Sequence, residues 1–93
     1  KDEDLVFEIL LKMGYPLTVN IAIANMDELT IYQVDHGQML ICLHPGITAE
    51  HIEKMAALQP NKIVLAESAL FDNSALSNAY YLLENRGIEL KII

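Results

Sequence analysis

"QMLICLHPGITAEHIEKMAALQPNKIVLA", residues 38–66, decides the fold. It opens on "QMLICL" (38–43), a short continuous apolar run that reads as a buried strand. "HPGIT" (44–48) is a loop that delivers Thr48 as a helix N-cap, with Glu50 in the first turn at the positive end of the helix dipole. Ile52, Met55 and Ala56 then share one helical face, which Leu58 extends, and Gln59-Pro60-Asn61 stops the helix near Leu58. "KIVLA" (62–66) is the next buried strand. Strand, helix, strand in this order makes a parallel pair joined by a right-handed crossover.

The chain continues the same way downstream. A second helix is predicted over 74–86, with Leu76, Ala79, Tyr80 and Leu83 at helical spacing and Gly87 placed to end it. Tyr80 and Tyr81 point about 100° apart, so one is read as core and the other as edge. "IELKII" (88–93) closes a second crossover. Upstream, "LTVNIAIA" (17–24) and "ELTIYQV" (28–34) read as strands, with "NMD" as the hairpin between them and "DHG" (35–37) as the next turn. In the second of these, Thr30, Tyr32 and Val34 fall on one face and Leu29 and Ile31 on the other. A helix over 3–13, ended by Gly14 and Pro16, comes first. The expectation is a single α/β domain over 1–93. An N-terminal helix leads into an antiparallel meander, which continues into a βαβαβ parallel unit. All five strands form one mixed sheet packed with helices.

Composition narrows the function. Hydrophobic residues make up 53% of the 93 and charged residues 20%, with a net charge of -7. An acidic surface repels phosphate backbones, and the basic residues Lys1, Lys12, Lys54, Lys62, Arg86 and Lys91 form no run, so a nucleic-acid-binding face is disfavoured. The single cysteine, Cys42, sits inside "MLICL" and reads as a small core residue. A reducing, cytoplasmic setting fits that usage. No stretch reaches the ~18 apolar residues of a membrane span. The chain starts at Lys1 without methionine, which points to an excised piece of something longer.

The opening helix is unusually apolar. "DLVFEILLKMG" (4–14) confines its polar residues to Asp4, Glu8 and Lys12, one narrow line at i, i+4, i+8. Leu5, Val6, Phe7, Ile9, Leu10, Leu11 and Met13 fill the rest of the cylinder. Such a helix is buried on more than one side. Either it lies centrally in its own core, or a second surface covers it: another subunit, or other parts of the chain. These seven residues are the candidate interface.

Other chemistry is sparse. His36, His44 and His51 have no second cysteine beside them, so they make a weak metal motif, and His44 at a strand end and His51 in a first helical turn read as solvated. Glu67, Ser68 and Asp72 follow the fourth strand at its carboxyl end, where open α/β sheets bind ligands at switch points. They form a weak candidate ligand site beside the plainer reading of loop polarity and helix capping. The four glycines, Gly14, Gly37, Gly46 and Gly87, are isolated, each with an ordinary turn or cap reading, so no Gly-rich cofactor loop exists. No catalytic set is present.

The order of segments "DLVFEILLKMGYPLT", "IYQVDHGQMLICLHPGITAEHIEKMAALQPNKIVLAESAL" and "SNAYYLLENRGIELKII" resembles the C-terminal region of the modification subunit of type III restriction-modification systems. That family's opening, D-L-x-F-E-x-L-L-K-x-G-x-P-L-T, matches Asp4 through Thr18. Its G-x-L-L-I-C-L strand matches Gly37 to Leu43, followed by Ile47 and Thr48. Where the family often has Asp-Ser, this chain has Glu67-Ser68. The usual Phe is displaced to Leu70-Phe71, and the Lys-Thr-Asn triplet survives as Leu76-Ser77-Asn78. The resemblance implies a parent enzyme that moves a methyl group from S-adenosylmethionine to adenine N6 in DNA. The family's D-P-P-Y-type and Gly-rich motifs are absent here, which implies a fragment without catalysis or cofactor. The implied role is assembly: a homodimer of modification subunits that supports the restriction subunit, with DNA held by other domains and no membrane involved. The alternative is a free-standing small α/β domain that binds a ligand or a regulatory protein.

Overall fold

The computed structural model describes residues 2–16, 18–26, 28–67 and 73–93. The elements run α1 (Asp2–Lys12), β1 (Ile21–Met26), β2 (Leu29–Val34), β3 (Met39–Cys42), α2 (Ala49–Ala57), β4 (Lys62–Leu65), α3 (Asn73–Asn85) and β5 (Glu89–Ile92). The five strands form one sheet in sequential order, β1-β2-β3-β4-β5. β1, β2 and β3 pair antiparallel, and β3, β4 and β5 pair parallel. This is the mixed sheet that the alternation of apolar strands and helical stripes predicts.

The sheet divides the core in two. On one face Leu29, Ile31, Leu40, Cys42, Ile63, Leu65 and Leu90 meet Ile52, Met55 and Ala56 of α2 and Ala79 and Leu83 of α3. On the other, Tyr32, Val34, Met39, Ile41 and Val64 meet Val6, Ile9 and Leu10 of α1. The strict alternation of β2 thus serves both faces, and β3, buried at every position, has a helix layer on each side. Among the described residues the result is three layers, with two helices on one face and one on the other.

Helix ends follow local chemistry. Thr48 has extended backbone, and its hydroxyl accepts from the His51 N–H at 3.3 Å. His51 Nδ1 in turn accepts from the Thr48 N–H at 3.1 Å, completing a capping box in which histidine takes the usual place of Glu or Gln. His51 is therefore engaged at the helix start rather than simply solvated. Thr48→Ala is expected to cost about 1 kcal/mol, the usual loss of an N-cap, read as a lowered midpoint in thermal melting. α1 and α3 both end in a left-handed glycine. At Gly87 (φ 72°) the Ile88 N–H returns to the Leu83 carbonyl at 2.9 Å. At Gly14 (φ 87°) the Tyr15 N–H returns to the Leu10 carbonyl at 3.0 Å.

Two expectations are corrected. The first strand does not occupy 17–24. The Val19 N–H turns back to the Pro16 carbonyl at 3.1 Å, so pairing begins at Ile21 and runs through Met26. Asn25 and Met26 therefore belong to the strand, Glu28 takes φ 73° in the turn, and Leu17 and Asp27 lie outside the described residues. Helix faces are narrower than expected: Leu58, the C-cap of α2, is exposed rather than part of its apolar face, and neither tyrosine of α3 is core, since Tyr80 and Tyr81 are both exposed. The buried stripe is centred on Ala79 and Leu83, with Leu76 and Leu82 as its half-buried shoulders. No helix among the described residues is long and apolar enough to cross a membrane.

Candidate functional site

The structure separates the seven apolar residues of the opening helix into two groups. Val6, Ile9 and Leu10 are buried on the sheet, and Met13 packs at their edge. These four are committed to the domain's own core. Leu5, Phe7 and Leu11 remain 43%, 46% and 55% exposed. Phe7 and Leu11 are one turn apart on one shoulder of α1, and Leu5 is about 160° from Phe7 around the helix, on the other shoulder. Glu8 and Lys12 pair at 3.6 Å on the solvent side.

Beside Phe7 lies β1. Ile21 and Ile23 stand opposite Val34 and Tyr32, so their side chains share the face that carries α1. α1 does not reach over this edge, and Ile23 is 55% exposed. Glu3, Val6, Phe7, Ile21, Ile23 and Tyr32 line a shallow cleft of about 180 Å³ between helix and strand. That is below the ~300 Å³ at which small-molecule pockets begin. Covering the remaining surface of Phe7, Leu11 and Ile23 would contribute about 1 kcal/mol for each, since each is already half removed from water.

The backbone of β1 is equally open. Among the described residues no strand pairs with its outer side. The Asp35 N–H donates to the Asn20 carbonyl at 2.7 Å, and the register continues through Ile21↔Val34 and Ala22↔Gln33. Hydrogen-bonded and non-bonded pairs alternate in an antiparallel ladder. Ala22, Ala24 and Met26 therefore turn their N–H and C=O groups to β2, and Ile21, Ile23 and Asn25 turn theirs outward. The sequence reading missed β1 as part of this surface. In "IAIANM" isoleucine alternates with alanine, so no charged position marks a solvent face.

The Glu67 loop has less behind it than its position suggests. Glu67 is exposed, its N–H donates to the Ile93 carbonyl at 2.9 Å, and Ser68 and Asp72 lie outside the described residues. The strand order never reverses, and α2 and α3 pack on the same face. A ligand crevice in an open α/β sheet forms where successive crossovers go to opposite faces. Among the described residues they do not, since α2 and α3 share a face, so those residues make no switch point above β4.

The three histidines sit in three different local settings. His36 follows β2, His44 follows β3 with Nδ1 2.6 Å from the Pro45 carbonyl oxygen, and His51 is in the α2 capping box. No group of three or more His, Cys, Asp or Glu that could hold a metal occurs among the described residues. The basic residues are less scattered in space than in sequence: Lys12, Lys62 and Lys91 line one open cleft beside Ile9 and Ile93. Lys12 is matched by Glu8, and Lys62 by Glu89 across the β4–β5 pair at 3.5 Å.

No family model matches this chain, and comparison with curated proteins and with solved structures finds no match.

Proposed function

We propose that this domain is a non-catalytic assembly module of a type III restriction-modification DNA adenine-N6 methyltransferase. It brings modification subunits together as a homodimer and offers a platform to the restriction subunit. S-adenosylmethionine and DNA are handled by other domains of the parent chain, in the cytoplasm. The observation that carries the assembly half is the uncovered apolar surface of Phe7, Leu11 and Ile23 beside an open strand edge. The order of motifs from Asp4 to Ile93 supports the parentage. The apolar cleft beside Phe7, at about 180 Å³, is itself below the ~300 Å³ of small-molecule pockets, which fits a surface for another chain better than a pocket for a small ligand.

The coding sequence that precedes Lys1 tests the parentage directly. A D-P-P-Y-type motif and a Gly-rich cofactor motif are expected there. A reading frame that begins near Lys1, or an upstream region without those motifs, would overturn it. In the same reading the isolated domain binds no S-adenosylmethionine. Calorimetry at micromolar protein is expected to show no saturable heat, and a saturable isotherm would contradict the non-catalytic role.

A further inference from the structure

We propose that β1 is the seam of the homodimer: a second copy of this chain pairs with it antiparallel, about a two-fold axis through Ile23, to make one continuous ten-stranded sheet. The proposal rests on the assembly reading for its premise that two copies meet, and on β1 for where they meet.

The two edges of the sheet differ. β5 is four residues long and carries Glu89 and Lys91, the charged guard that keeps sheet edges from pairing. β1 is six residues long and reads Ile-Ala-Ile-Ala-Asn-Met, without a charge, a proline or an interruption in its register with β2. An edge of that kind is a template for another strand.

The occupant follows from register. A two-fold axis perpendicular to the sheet keeps the α1 faces of both copies on the same side. Directly opposed residues in an antiparallel ladder also share a side. Both conditions hold when Ile23 faces its own counterpart and Ile21 faces Asn25 of the other copy. These are also the three residues whose N–H and C=O groups point outward. One register therefore satisfies all six outward groups of each edge and sets Ile23 against Ile23 on the face where Phe7 is exposed. Alanine at 22 and 24 meets alanine on the other face, without steric conflict. The edge is self-complementary, as an isologous interface requires.

Three variants and one labelling measurement test this. Ile23→Lys sets two like charges opposite each other without touching the ladder to β2. It is expected to weaken self-association about tenfold or more by sedimentation. At protein concentrations low enough that wild type is monomeric too, its circular-dichroism melt should stay near the wild-type midpoint. Ile23→Pro removes one outward N–H and should have the same effect on mass. Leu5→Glu, on the shoulder of α1 away from β1, should leave association intact. Hydrogen exchange on the associated wild-type chain should show slow amides at Ile21, Ile23 and Asn25. In Ile23→Lys these become fast, while Ala22, Ala24 and Met26 stay slow in both. A dimer that survives Ile23→Lys and is lost in Leu5→Glu would overturn the seam and place the interface on the helix, leaving the assembly reading standing. Fast exchange at Ile21, Ile23 and Asn25 in a chain of dimer mass would also overturn it, as would a wild-type chain that stays monomeric. The parentage is judged separately by the upstream coding sequence.

Discussion

Leu10→Glu is expected to abolish the cooperative thermal transition, while Leu11→Glu, one residue away, leaves it within a few degrees of wild type. Leu10 is 3% exposed and packs among Tyr32, Val34, Met39, Ile41 and Val64. A carboxylate placed there has no cationic partner in that cluster, and burying it unpaired costs several kcal/mol whether it stays ionised or takes up a proton. Native domains hold about 5–15 kcal/mol in all, and one of this size belongs toward the lower end. The Leu10 carbonyl also receives the Tyr15 N–H that closes α1, so displacing the residue loosens the helix end. Leu11 is 55% exposed and its replacement reaches water directly. Circular dichroism against temperature reads both. A folded Leu10→Glu variant would mean that α1 is not seated on the sheet as described.

The second large effect lies on the opposite face. Leu83→Ala is expected to cost about 2–5 kcal/mol, the range for a buried leucine whose cavity cannot collapse. Leu83 is fully buried between α3 and the sheet, and its carbonyl accepts the Ile88 N–H that turns the chain into β5. With roughly 4–8 °C per kcal/mol for a domain of this length, the midpoint should fall by about 10 °C or more. Tyr81→Ala, on the exposed side of the same helix, should change stability by no more than about 0.5 kcal/mol. Equal losses in the two variants would contradict the assigned face of α3.

Much of the architecture was legible because each buried strand is a short apolar run bounded by turn residues, and each covering helix shows a 3.6-residue stripe. "QMLICL", Thr48 and "KIVLA" are enough to require one crossover, and "IELKII" requires a second. Strand ends were less legible. Pro16 and Val19 close a turn that apolar composition does not reveal, which moves the start of β1 to Ile21. The phase of α1 was present but unread. Asp4, Glu8 and Lys12 mark the solvent line, and the face across the helix from it is the one that Val6, Ile9, Leu10 and Met13 bury. The open edge was not readable at all. Which strand ends a sheet is set by pairing partners far apart in sequence, and "IAIANM" would read the same in the middle of a sheet. The same limit applied to the Glu67 loop. Whether it stands at a switch point depends on the faces chosen by α2 and α3, which the periodicity of either helix leaves open.

The most direct test of self-assembly through the open edge is the mass of the wild-type chain by sedimentation equilibrium, over rising concentration and at two salt levels. The account predicts a mass that climbs toward twice the 10.4 kDa of one chain. Each copy carries a net charge of -7 while the seam itself carries none, so association should tighten as salt rises through about 0.15 M and screens the repulsion between copies. A chain that remains at 10.4 kDa at every concentration and both salt levels would contradict it.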